Sequence, residues 1–136
     1  MLEDENKARI RRHFDEVLNG ESREAAAELM LPERIDRLFD TLAMARLSRP
    51  DVRRQIEDMV AEGDRVAVRW SAVGTHTGEW THPVVGRIAP TGKRVTNTAI
   101  TIFRLAEGRI GEAWEVSNML GLLQQMGAIP TPGGGN

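Results

Sequence analysis

Apolar positions in the first fifty residues recur at helical spacing. Ile10, Phe14, Val17 and Leu18 stand at i, i+4, i+7 and i+8, the stripe of a helix that Asn19-Gly20 is expected to end in a left-handed cap. Ser22 is placed to cap a short second helix through Ala25, Ala26 and Leu29, which stops before Pro32. A third stripe, Ile35, Leu38, Phe39 and Leu42, predicts another helix, and Pro50 closes the helical part.

After Val52 the period shortens to two. Ile56, Asp58 and Val60 are expected to share one strand face, Glu62-Gly63-Asp64 reads as a turn, and Val66, Val68 and Trp70 alternate with Arg65, Ala67 and Arg69. Gly74 and Gly78 flank Thr75-His76-Thr77 and signal a bulge or a close approach of backbone. A loop containing His82, Pro83, Gly86 and Pro90-Thr91-Gly92 then leads to a strand over residues 94–105. A last strand, 109–118, precedes a helix-like run over 119–126. Helices followed by an antiparallel meander make an α+β domain, with the helices against one side of a curved sheet. One domain over residues 1–128 is expected, followed by a flexible tail, 129–136, that contains three successive glycines.

The last hairpin brings candidate chemistry together. A three-residue loop, Ala106-Glu107-Gly108, would pair Leu105 with Arg109, and then Ile102 with Glu112, Ile100 with Trp114 and Thr98 with Val116. On that register Ile100, Ile102, Ile110, Trp114 and Val116 form the inward face, and Arg104, Glu112 and Asn118 share it. A polar group buried there needs a partner. Glu112 therefore reads either as the ion-pair partner of Arg104 or as a cavity carboxylate able to move protons. His76 is either bonded within its own loop or a pocket residue that binds or protonates a ligand. His13, at the border of the first stripe, reads as structural, and His82 as exposed. Trp70 and Trp114 are either core or the flat wall of an apolar pocket.

Composition narrows the chemistry. The 136 residues include no Cys and no Tyr, which removes thiolate, disulfide and phenol chemistry and leaves carboxylates, three histidines and water for proton transfer. Three scattered histidines offer no spacing for a metal site, and no cofactor is expected. Eighteen basic against twenty acidic residues leave no cationic excess for nucleic acid. The first eighteen residues are too charged for a signal peptide or a membrane span, so a cytoplasmic protein is expected. All three tryptophans lie after residue 60, the half expected to build any cavity.

An ordered set of fragments then resembles a known family. Residues 62–70 (EGDRVAVRW), 74–78 (GTHTG), 90–95 (PTGKRV), Ile102-Phe103-Arg104, Gly108-Arg109-Ile110, Glu112-Ala113-Trp114 and 119–127 (MLGLLQQMG) are similar, in this order, to the SnoaL-like polyketide cyclases. The resemblance implies the cone-shaped α+β barrel shared with nuclear transport factor two, ketosteroid isomerase and scytalone dehydratase, with a deep apolar cavity. It also implies cofactor-free aldol ring closure by a pocket aspartate and assembly as a homodimer or homotetramer. The family's aspartate stands four residues after the last-strand tryptophan, and here that position is Asn118. An amide holds an oxygen by hydrogen bonds but transfers no proton at neutral pH. The link between Gly78 and Pro90 is longer than the family's and is expected to reshape the cavity mouth.

The resulting expectation is a cofactor-independent cyclase or isomerase acting on a small hydrophobic natural-product intermediate. Asn118, His76 and Glu112 are its catalytic candidates, and Trp70, Trp114, Arg104, Ile100, Ile102 and Val116 its substrate contacts. The alternatives are epoxide opening, and a binding protein that kept the barrel without the chemistry.

Overall fold

The computed structural model describes residues 1–132; the last four residues of the expected tail lie outside them. Helix α1 (Leu2–Arg12) runs directly into a π-helical segment, His13–Asn19, and then come α2 (Arg23–Leu29), a 3-10 turn (Pro32–Arg34) and α3 (Ile35–Ser48). Six strands follow: β1 (Arg53–Glu62), β2 (Arg65–Thr75), β3 (Trp80–His82), β4 (Gly86–Ile88), β5 (Arg94–Ala106) and β6 (Arg109–Ser117). Helix α4 (Met119–Gln125) ends the regular structure. Strands β1-β2-β5-β6 make an antiparallel sheet in that order, and β3 and β4 form a separate small hairpin.

The three helical stripes pack on one face of the sheet. Ile10, Phe14, Val17, Leu29, Leu42, Val66, Val68, Trp70, Phe103, Leu105 and Ile110 are buried in one core, joined by Ile35, Leu38 and Phe39. The wide π-helical turn places the consecutive residues His13 and Phe14 both in the interior. The Ser22 hydroxyl accepts from the Ala25 amide at 3.0 Å, as its position promised. The backbone of Gly20 stays right-handed and the positive φ falls on Glu21 instead, at 50°. The expected glycine cap is therefore displaced by one residue. With the first helix widened, the Ser22 amide reaches back to the Glu16 carbonyl at 2.9 Å, and the chain reverses one position later.

Two bulges reset strand phase. In β1 the pairing jumps between Ile56↔Trp70 and Asp58↔Arg69, so Ile56, Met59 and Ala61 turn inward while Asp58 and Val60 are exposed. Ile56, Asp58 and Val60 do not share a face, because the extra residue inverts the alternation. The first hairpin closes tightly, with Glu62 paired to Arg65 and Gly63 at φ 58°.

The second bulge lies in the last hairpin. Its loop has two residues, Glu107 and Gly108, with φ 53° and 81°, so that Ala106 pairs with Arg109 and Leu105 with Ile110. The pairing then skips Gly111, and Arg104 meets Glu112, Ile102 meets Trp114 and Ile100 meets Val116. Ile110 faces the helices while Glu112, Trp114 and Val116 face away from them. The expected inward face is thus the outward one: Ile100, Ile102, Trp114 and Val116 are exposed, Trp114 by 48% and Val116 by 79%.

The two glycines around His76 mark a close approach. A Cβ on Gly74 would lie 2.9 Å from that of Arg49, and one on Gly78 would overlap the Leu47 carbonyl oxygen. The Ser48 carbonyl accepts from the Thr77 and Gly78 amides at 3.1 and 3.0 Å, which pins this loop to the end of α3. The long link after Gly78 forms the β3–β4 hairpin, whose Trp80, Val85 and Ile88 pack with Val95, Leu122, Leu123 and Met126 in a second cluster that also holds Ile129. This packing takes the link away from the space between helices and sheet.

Candidate functional site

Between the helices and the inward face of the sheet lies a cavity of about 520 Å³. Its apolar wall includes Phe14, Leu18, Met30, Leu38, Leu42, Trp70, Phe103 and Ile110, and its polar groups are His13, Glu33, Arg34, Arg37, Thr41, Arg54, Thr101 and Glu115.

Sheet register builds a polar row into this wall. Thr101 sits directly across from Val68 on one side and Glu115 on the other, and Trp70 is its diagonal neighbour on β2. The Trp70 indole N–H donates to Thr101 Oγ1 at 2.9 Å, and the Thr101 hydroxyl donates to Glu115 Oε1 at 3.0 Å. An indole nitrogen can only donate and a carboxylate only accepts, so the direction of both bonds is fixed. Trp70 and Thr101 are buried, whereas the Glu115 carboxylate remains accessible. One carboxylate oxygen is held and oriented while the group stays open to a ligand.

His13 enters from the opposite side. It is only 3% exposed, packs edge-on against Phe14 and Phe103 at 6.2 and 5.6 Å between ring centroids, and its Nδ1 has no partner among the described residues. Burial, with the nearby Arg34 cation adding to it, pushes its pKa down to about 4. At neutral pH it is an uncharged imidazole able to donate one hydrogen bond and accept another. Arg54 is held by the Leu18 carbonyl at 3.2 Å, and burial, then Arg49, lowers its pKa.

Of the nine residues expected at the site, Trp70 lines this cavity. Arg104 and Glu112 pair at 3.0 Å on the outward face, where Arg104 also meets Asp64 at 2.9 Å. These bonds, with that to Asp64 foremost, raise the Arg104 pKa. Asn118 is exposed and caps α4, its Oδ1 accepting from the Gly121 amide at 2.9 Å. His76 is fully buried in its loop, with Nδ1 3.0 Å from the Thr91 hydroxyl, and burial, then Arg49, lowers its pKa. Asn118, His76 and Glu112 are therefore neither on the cavity wall nor gathered in one place. Ile100, Ile102, Trp114 and Val116 stand on the far side of the sheet. Trp80 packs edge-on to His82 at 5.2 Å in the small hairpin, so of the three tryptophans Trp70 alone lines the cavity.

Glu115, Thr101, His13, Arg34 and Arg54 are cavity residues that the sequence pattern does not single out. Both faces of β5 are largely apolar, so alternation alone does not choose between Ala99-Thr101-Phe103-Leu105 and Ile100-Ile102. The available signal is Gly111, whose place in the strand marks the bulge. Among the described residues, no group of three or more His, Asp or Glu side chains is arranged to hold a metal ion.

Comparison with known proteins fits this architecture. The chain is similar to AclR, a candidate hydroxylase from Streptomyces galilaeus, at 25% identity over 94% of this chain and 84% of the other, with a TM-score of 0.79. It is also similar to IdmH, a candidate polyketide cyclase from Streptomyces antibioticus, at 25% identity over 90% and 98% of the two chains and a TM-score of 0.78. A SnoaL-like protein from Jannaschia sp. CCS1 shares the fold at 23% identity and a TM-score of 0.78, covering 95% of this chain and 96% of that one. No curated protein matches the chain. The family model of the SnoaL-like polyketide cyclases matches residues 8–126, and the chain belongs to that family.

Proposed function

We propose that the protein is a cofactor-independent cyclase or isomerase that moves a proton on a small hydrophobic, polyketide-type molecule held in the cavity between helices and sheet. The observation that carries this reading is the Trp70–Thr101–Glu115 row opposite an uncharged, buried His13. Glu115 is the general base: Thr101 orients one of its oxygens, and the other can take a proton from carbon next to a substrate carbonyl. His13 supplies a neutral hydrogen-bond donor for the oxygen on which negative charge develops. The aromatic and aliphatic wall binds the carbon skeleton. Proton transfer is therefore assigned to cavity residues, in place of Asn118, His76 and Glu112.

Hydrogen–deuterium exchange at the α-carbons of 2-tetralone in D2O, followed by NMR, tests the assignment. Wild-type protein should accelerate exchange, and Glu115→Gln should lose about 10²–10⁴-fold of that acceleration. Exchange that survives Glu115→Gln and disappears in Glu112→Gln would return the role to the outward face. Binding of the ketone without exchange in any variant would favour a carrier.

The outward sheet face supports assembly with a second copy. Val60, Ala67, Ile102 and Trp114 form one continuous row across all four strands, and Ile100 and Val116 extend it. The solvent side of an antiparallel sheet is ordinarily polar, and a contiguous exposed apolar stripe signals a binding surface. Arg65, over the Trp114 ring at 5.9 Å, and the Asp64–Arg104–Glu112 bridges give the stripe a charged rim.

A further inference from the structure

The charges around the cavity specify more than an apolar ligand. Arg34, Arg37 and Arg54 line it against two carboxylates, Glu33 and Glu115, with His13 uncharged. Eight ion pairs occur among the described residues, and none includes Arg34, Arg37 or Arg54. Arg34 reaches the Gly111 carbonyl only at 3.5 Å, and its Nε is buried without a partner. The neighbouring His13 Nδ1 is buried and unpartnered as well. Buried nitrogens are nearly always paired in folded proteins; the Arg34 Nε can only donate and so calls for an acceptor on this cavity wall, while the neutral His13 beside it keeps one donor and one acceptor for the rest of the ligand.

We propose that the natural ligand is an acid: its carboxylate docks against the Arg34 guanidinium beside His13, while its hydrocarbon part lies on Phe14, Trp70 and Phe103. This rests on the proposed reading of the cavity as the binding site and adds the charge of the molecule bound. A guanidinium presents a planar fork of donors that matches a carboxylate, and no protein acid occupies that fork among the described residues. Arg37 and Arg54 contribute further positive potential to the site. Glu115, tied to Thr101, lies on the sheet side, so docking the acid on Arg34 would orient the skeleton toward the base.

The test compares 2-naphthoate with 2-naphthamide, two ligands of nearly equal size and different charge, by isothermal titration calorimetry at pH 7. The acid should bind at least about tenfold more tightly, a preference of about 1.4 kcal/mol or more. Raising salt should erode the affinity of the acid and spare that of the amide. Arg34→Gln should abolish the preference by weakening binding of the acid far more than that of the amide, and Arg34→Lys should restore part of it. Equal binding of acid and amide by wild-type protein would overturn the inference and leave the cavity assignment standing. Binding of neither would overturn both. The wild-type comparison needs no variant, so the result does not depend on whether Arg34→Gln folds.

Discussion

The indole of Trp70 and the hydroxyl of Thr101 form a buried hydrogen bond across adjacent strands, at 2.9 Å, and that bond sends the Thr101 proton to Glu115. Thr101→Val removes the middle of the row with little change in shape. It should leave a buried indole N–H unpaired and cost roughly 1–3 kcal/mol, measurable by urea denaturation. Thr101→Ser should recover most of that stability. A Thr101→Val protein as stable as wild type would show that the indole finds another partner.

His13 makes stability depend on pH over a defined window. Its imidazole is held neutral, with a pKa of about 4 against an ordinary value of 6.5. The unfolded chain takes up a proton as the pH falls through about 6.5, while the folded chain resists until about 4. The stabilisation is therefore complete above the unfolded value and is lost as the pH falls towards the folded one. The loss should be on the order of 3 kcal/mol. His13→Gln should flatten this part of the profile, read from denaturation midpoints between about pH 7 and pH 4. An unchanged slope in the variant would remove His13 as its source.

The outward stripe predicts an assembly that charge can break. Wild-type protein should sediment as a dimer or tetramer in analytical ultracentrifugation. The double variant Trp114→Lys, Val116→Lys should sediment as a monomer with its circular dichroism retained. A monomeric wild type at micromolar concentration would end this reading.

Gly78→Ala should be among the most damaging single-methyl additions, because its Cβ would overlap the Leu47 carbonyl and push the His76 loop off the end of α3. A melting experiment should register a loss of about 2–3 kcal/mol. Gly92→Ala offers a contrast without that clash: its Cβ would meet nothing within 4 Å, so any loss there reports only the positive φ of 72°.

Much of the fold is legible in the chain. The helical stripes, the Ser22 cap, the Val66-Val68-Trp70 alternation and the tight backbone contacts at Gly74 and Gly78 follow from local spacing, and local spacing is what a sequence displays. The candidate site is far less legible, for one physical reason. A strand assigns its side chains to faces by counting, and a single uncounted residue reverses every assignment beyond it. An unbroken count from Ile110 through Trp114 to Glu115 puts the indole inside and the acid outside, the reverse of what the bulge produces. His13 reads as a structural residue at the border of the stripe because the π-helical widening that carries it fully inward with Phe14 leaves no mark in a 3.6-residue pattern.

The bulge at Gly111 also sets how a residue gained or lost in β6 would redistribute side chains between the two faces of the sheet. Loss of the single codon for Gly111 would restore ordinary alternation between Ile110 and Glu112, leaving Glu115 still turned toward the helices. One codon gained just after Glu112 would do the opposite, bringing the indole of Trp114 into the cavity and sending the carboxylate to the surface. Length variation in β6 thus keeps the carboxylate on the cavity wall on one side of Glu112 and exchanges it for an indole on the other, so chains that keep every other side chain could still line the cavity differently.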